Sequence, residues 1–261
     1  MPMPSARKIE ILPTAADLFH AAAEEFVRVG RHAIGADGRF TVALSGGSTP
    51  KSLYSLLAAS FADFPWARTY FFFGDERHVP PADADSNYRM VNESLLSKIA
   101  MPAQNVFRVR GEISDASAAA ADYEIALKNF FALTPSQFPR FDLILLGMGP
   151  DGHTASLFPG SEGLKERRKL VIANWVEKFK THRISFTFPV LNHAAEVMFL
   201  VSGMDKAEMI GQILEAKNPS LFPAQQVQPV DGKLLWMLDE AAAAKLRRSP
   251  AAAEWATRSQ A

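Results

Sequence analysis

Short apolar runs rich in β-branched and aromatic residues recur along the chain, separated by longer stretches in which apolar positions return with the helical period. The runs at 40–44, 69–73, 141–146, 170–174, 184–188, 197–202 and 234–238 read as strands. Several do not alternate, as in Asp142-Leu143-Ile144-Leu145-Leu146, which is expected of strands covered on both faces. A first helix starts after Thr14, an N-cap with Asp17 three positions on, and buries Leu18, Ala22, Phe26 and Val29, with Gly30 as its stop. Further helices are expected at 52–59, 87–99, 116–131, 206–216 and 240–247. This alternation predicts an α/β fold: a single Rossmann-like doubly wound domain with a mostly parallel central sheet flanked by helices. The domain runs over residues 1–250, with a small helical subregion between Pro80 and Pro139, and 251–261 form an alanine-rich tail, helical or frayed.

Composition narrows the function classes. Of 261 residues, 48% are apolar and 21% charged, which fits a globular chain and neither a disordered nor a membrane-embedded one. The formal net charge is zero, so no global field draws the chain to nucleic acid or an acidic membrane, and any anion must be met by a local cluster. There is no cysteine, which removes disulfides, thiolate metal sites and cysteine nucleophiles. Charges in the first ten residues replace the apolar run of a signal peptide, and no stretch approaches the roughly 20 apolar residues of a membrane span, so a cytoplasmic location is expected. The chain is taken as a monomer or weak homodimer.

In sheets of this kind ligands bind beyond the carboxyl ends of the strands. Four such junctions carry unusual residues. After 40–44 comes Ser45-Gly46-Gly47-Ser48-Thr49-Pro50 and then a helix, where glycines admit a ligand and free amides attract anions; the same residues could also be a plain capped turn. Pro50 excludes the nucleotide-binding P-loop, which needs glycine there.

After 69–73 comes Gly74-Asp75-Glu76-Arg77-His78, followed by Ser86-Asn87-Tyr88-Arg89. Arg77 can fork onto a carboxylate or phosphate, and Asp75 can orient an imidazole or a hydroxyl. Glu76 and His78 are read as parts of a solvated loop.

After 141–146 comes Gly147-Met148-Gly149-Pro150-Asp151-Gly152-His153-Thr154-Ala155-Ser156-Leu157-Phe158-Pro159-Gly160. It contains G-x-G-x-x-G, yet Pro159 and Gly160 stop any helix within about two turns, which argues against a dinucleotide site. What remains is an aspartate and a histidine held among glycines. Free imidazole titrates near 6.5, so His153 with Asp151 is a natural proton-transfer pair. The fourth junction joins His182-Arg183 to Ser202-Gly203-Met204-Asp205-Lys206, where a lysine at a helix start is disfavoured unless an anion offsets it.

Together the first three blocks closely resemble the 6-phosphogluconolactonases, in the same order, from about residue 10 to residue 245. The resemblance implies a fold related to glucosamine-6-phosphate deaminase, a phosphorylated sugar lactone as the small-molecule substrate, hydrolysis without metal or organic cofactor, and no nucleic-acid or membrane partner. For that reaction the residues singled out above are expected to take the following roles. His153 would activate water, oriented by Asp151 or Asp75; the oxyanion would be met by backbone near Gly46 or Gly152 and by Arg77. The phosphate would be held by Ser45, Gly46, Gly47, Ser48 and Thr49, with Arg183 and Lys206 placed as in the deaminases, and Arg89 completes the binding set. In those deaminases a glutamate lies five positions after the histidine; here Phe158 stands there, which argues for hydrolysis over ring-opening isomerisation. The rival expectations are a deaminase or isomerase of the same fold and a non-catalytic sugar-phosphate sensor.

Overall fold

The computed structural model describes residues 7–215 and 222–247. The strands are β1 (Arg7–Leu12), β2 (Phe40–Leu44), β3 (Thr69–Phe73), β4 (Asp75–Arg77), β5 (Leu143–Leu146), β6 (Val171–Val176), β7 (Thr181–Phe186), β8 (Glu196–Val201) and β9 (Lys233–Asp239). The helices are α1 (Ala15–Asp37), α2 (Ser48–Ser60), α3 (Asn87–Ser94), α4 (Ala116–Phe131), α5 (Phe188–Asn192) and α6 (Ala207–Glu215). Six strands form one parallel sheet in the order β1-β9-β8-β5-β2-β3. The Rossmann-like α/β fold expected from the pattern is present, and its strand order reverses between β2 and β5. That switch point is where loops leave in opposite directions and open a crevice.

Two of the expected strands do not join this sheet. β6 and β7 pair antiparallel with each other and with β4 in a separate three-stranded sheet. Their connection is too short for a parallel crossover, so only a hairpin is possible; Lys180 turns it at φ +51°. Gly74 joins the two sheets, donating to Leu44 O and accepting from Phe186 N.

The first helix also differs. Thr14 and Asp17 form the expected capping box, but α1 continues past Gly30 to Asp37 and stops at Gly38, φ +73°. Gly30 is there for packing: a Cβ would lie 2.5 Å from the Phe64 ring and 2.9 Å from Phe40. α2 begins at Ser48, earlier than the pattern suggested, and α3 ends at Ser94 with a separate 3-10 turn after it. Residues 240–247 are turns rather than a helix. The 251–261 tail lies outside the described residues.

At the amino end of the sheet, away from the crevice, Glu196 of β8 is buried beside Glu25 of α1 and 3.4 Å from Arg28. Burial, then the Glu25 hydrogen bond and charge, raises the Glu196 carboxyl to about 7, against the pull of Arg28 and Lys233. A carboxyl whose folded value is raised stabilises the fold below its unfolded value near 4.5, and that contribution is lost as pH climbs through about 7. Glu196→Gln is therefore expected to raise stability by about 1–2 kcal/mol at pH ~8, after allowance for solvent screening, and to give no gain at pH ~4. Denaturant titrations at the two pH values check this; a loss of stability at the higher pH would contradict it.

Candidate active site

The loop leaving β2 is fixed from behind. The Tyr54 hydroxyl of α2 accepts from Ser45 N and donates to Ser45 O, both at 2.9 Å, and burial pushes its phenol well up so that it stays neutral. Gly46 has no room for a side chain, because a Cβ would sit 2.0 Å from Asn87 Oδ1. Gly47 starts α2 at φ +106°, and no side chain caps that helix. The amides of Ser48 and Thr49 thus end at the crevice wall without a capping partner, and Pro50, with no N–H, leaves none to satisfy. Ser45 Oγ is buried beside them with no hydrogen-bond partner.

Across the crevice, the register of β4 and β7 sets Arg77 directly opposite Arg183. Like charges facing each other across strands are unfavourable unless an anion lies between. Arg77 donates to Asp85 O at 2.6 Å, while its Nε and that of Arg183 are buried and unpartnered. Burial first, then the neighbouring Arg77 charge, lowers the Arg183 value, with Asp75, Asp85 and Glu76 opposing. Lys206 closes the same side, its Nζ 2.5 Å from Asp205 and its side chain turned into the crevice rather than to solvent.

The loop after β5 carries Asp151 and His153, the pair expected to transfer a proton. His153 Nδ1 lies 2.5 Å from Asp151 Oδ1. Burial would raise the Asp151 carboxyl, but the hydrogen bond and charge of His153 hold it below the usual range. The imidazole stacks on Phe158, centroids 4.0 Å apart and planes 20° from parallel. With Nδ1 engaged, Nε2 is the nitrogen left for a reacting group. Gly149 makes the space: a Cβ there would lie 2.1 Å from both Cε1 and Nδ1 of the ring. Gly149→Ala should displace the imidazole and lower kcat by about 10²-fold, since misplacing a catalytic group by an ångström costs that much. Steady-state kinetics on the variant, with circular dichroism to show a retained fold, checks this; an unchanged kcat would contradict it.

These groups line one crevice of about 330 Å³, with Ser45, Gly46, Gly47, Ser48, Thr49, Asp75, Arg77, His153, Arg183 and Lys206 all on its wall. A larger cleft of about 730 Å³ lies beside it; it shares Phe158 with the crevice and has Asp151 on its own wall, but none of the arginines or amides. The smaller cavity is where the chemistry converges.

Several expected residues fall elsewhere. Arg89 is exposed, bonded to Glu93 at 2.8 Å and Ala82 O at 3.0 Å, and does not line the crevice, because α3 turns its side chain outward. Gly152 gives its amide to Gly149 O, so it offers no free donor. Asp75 does not orient His153. It accepts from Ser156 Oγ at 2.6 Å and from Asn87 Nδ2 at 3.4 Å, a buried carboxylate on the crevice wall. Glu76 is no solvated loop residue: it is buried and takes the amides of Arg77, Asn87 and Tyr88, tying α3 to β4. His78 is structural, its Nε2 2.7 Å from Ile113 O. Asn87 and Ser156 lie within the quoted blocks but had no role there, and Tyr54 and Phe179 lie outside them; Asn87, Ser156 and Phe179 line the crevice, and Tyr54 supports it from behind. Among the described residues no group of three or more His, Asp or Glu side chains is arranged to hold a metal ion, and no helix is long and apolar enough to cross a membrane.

A sequence profile described as glucosamine-6-phosphate isomerases/6-phosphogluconolactonase matches residues 13–236. A 6-phosphogluconolactonase from Nostoc sp. is 40% identical over 241 residues, covering 92% of this chain and 98% of its own. The solved 6-phosphogluconolactonase of Trypanosoma cruzi superposes with a TM-score of 0.84 at 31% identity, over 95% of this chain and 99% of that one. A monomeric glucosamine-6-phosphate deaminase, at 20% identity and a TM-score of 0.76 over 91% of this chain and 99% of its own, shares the fold.

Proposed function

The chain belongs to the family of glucosamine-6-phosphate isomerases and 6-phosphogluconolactonases, and from that membership we propose that it hydrolyses 6-phosphogluconolactone to 6-phosphogluconate with His153 as general base. The reaction class, lactone hydrolysis in the pentose phosphate pathway, is that of its named relatives. The observation that carries the assignment of roles is a histidine held on Nδ1 by Asp151, facing across one crevice a pair of arginines that oppose each other.

In the mechanism, Nε2 of His153 takes a proton from water as the water oxygen bonds to the lactone carbonyl carbon. Asp151, held ionised, stabilises the imidazolium that forms. The tetrahedral oxyanion is met by the Gly46 amide and Arg77, donors that gain strength as the charge develops. When the intermediate collapses, the bond from carbonyl carbon to ring oxygen breaks, and the imidazolium returns its proton to that oxygen. The phosphate is held by Arg183, Lys206, Ser45 Oγ and the amides of Ser48 and Thr49, so binding energy far from the carbonyl positions it. Asp75 receives a substrate hydroxyl.

The deaminase alternative is opposed by Phe158, whose ring face lies against His153 and offers no carboxyl for ring opening. The proposal takes residues 1–250 as one catalytic domain acting in the cytoplasm as a monomer or weak homodimer, without metal or organic cofactor. Generating the lactone with glucose-6-phosphate dehydrogenase and following its lifetime with and without the protein tests the activity. The protein should shorten the lifetime well below that of spontaneous opening, and an unchanged lifetime, with ammonia released from glucosamine 6-phosphate instead, would overturn it.

A further inference from the structure

The tip of the β6–β7 hairpin leans on both ends of the crevice. Phe179 lines the cavity yet is 48% exposed, so it is not a core residue. The Arg183 guanidinium lies over its ring at 5.1 Å from the centroid. Among the described residues that guanidinium makes no protein hydrogen bond, and the Phe179 face is its support. On the other side, Phe158 meets the Phe179 ring edge to face, 6.0 Å between centroids and 80° between planes. Phe158 in turn stacks on His153. The neighbouring Lys178 reaches to 3.9 Å from Asp151 Oδ2. One short turn therefore touches the arginine assigned to the phosphate and the support of the base.

We propose that Phe179 is a positioning residue that transmits phosphate binding at Arg183 to the general base His153 through Phe158. The inference rests on the phosphate role given to Arg183 above. A phosphate drawn onto Arg183 fixes the guanidinium, the guanidinium fixes the Phe179 ring, and that ring limits the tilt of Phe158 and of the imidazole stacked on it. Contacts of this cation–π and edge-to-face kind are each worth a few-fold to about tenfold, enough to set the attack angle of a bound water.

The test is a double-mutant cycle on the phosphorylated lactone. Phe179→Leu keeps apolar bulk and removes the ring; it should lower kcat about tenfold while KM moves less than about threefold. Phe179→Tyr should restore kcat. In an Arg183→Ala background, Phe179→Leu should cost less than about twofold further, because the link is already broken. A rise in KM alone, an unchanged kcat, failure of tyrosine to rescue, or the same cost in both backgrounds would overturn the proposal. If Arg183→Ala itself left KM unchanged, the phosphate assignment would fail and take this inference with it. If Arg183→Ala raised KM but the two effects multiplied, the phosphate assignment would stand and the link alone would fail.

Discussion

His153→Ala should lower kcat for lactone opening by at least about 10²-fold over the spontaneous background, the usual contribution of general base catalysis. The loss should be confined to chemistry. The side chain is partly exposed and its main contacts are Asp151 and Phe158, so little of the core depends on it. KM should change little, since the phosphate end carries the binding. A fall of less than about tenfold would remove His153 from the role of base.

Arg183→Ala should also have a large effect, and its signature is an opposition between binding and stability. In the free protein the guanidinium faces Arg77, has a buried unpartnered Nε and sits against an aromatic ring. Its removal relieves repulsion and an unsatisfied donor, so thermal stability should hold or rise. Binding should suffer, because a charge-assisted hydrogen bond to phosphate contributes about 2–3 kcal/mol, or roughly 30- to 150-fold in kcat/KM. Kinetics and thermal unfolding measured together separate the readings: a lowered unfolding temperature with unchanged kcat/KM would make Arg183 a structural residue.

Much of the fold was legible because it is locally encoded. β2 and β3 are apolar at nearly every position, and α4 has its N-cap, Asp115, directly before it and its period within its own sixteen residues. What escaped depends on distant pairing. β1 alternates charges with isoleucines as the sheet's outer strand, half exposed, and so lacks the continuous apolar run that marks its neighbours. β4 is Asp75-Glu76-Arg77, three charged residues with no strand propensity, and it is a strand only because β7 lies alongside. Gly30 looks like a stop in sequence and is a contact in space.

The site divides the same way. Asp151 and His153 are two residues apart, and the glycines around them mark a backbone that must bend, so the pair could be read directly. The opposition of Arg77 and Arg183 depends on a register between segments over a hundred residues apart; the fourth junction marked Arg183 as unusual, and only the family resemblance gave it the phosphate. Arg89 shows the converse: it sits beside a motif on which the site depends, but helical geometry turns it to Glu93. Ser156 and Asn87 hold Asp75 in place through contacts that no spacing rule would pair.

Everything proposed for the site depends on one orientation of the substrate: carbonyl at the imidazole, phosphate at Arg183 and Lys206. A crystal structure of the protein with 6-phosphogluconate tests it most directly. The account predicts the product carboxylate within hydrogen-bond reach of His153 Nε2 and the phosphate among Arg183, Lys206 and the amides of Ser48 and Thr49. A phosphate seated against His153, or a carboxylate on Arg183 with the imidazole out of reach, would contradict it.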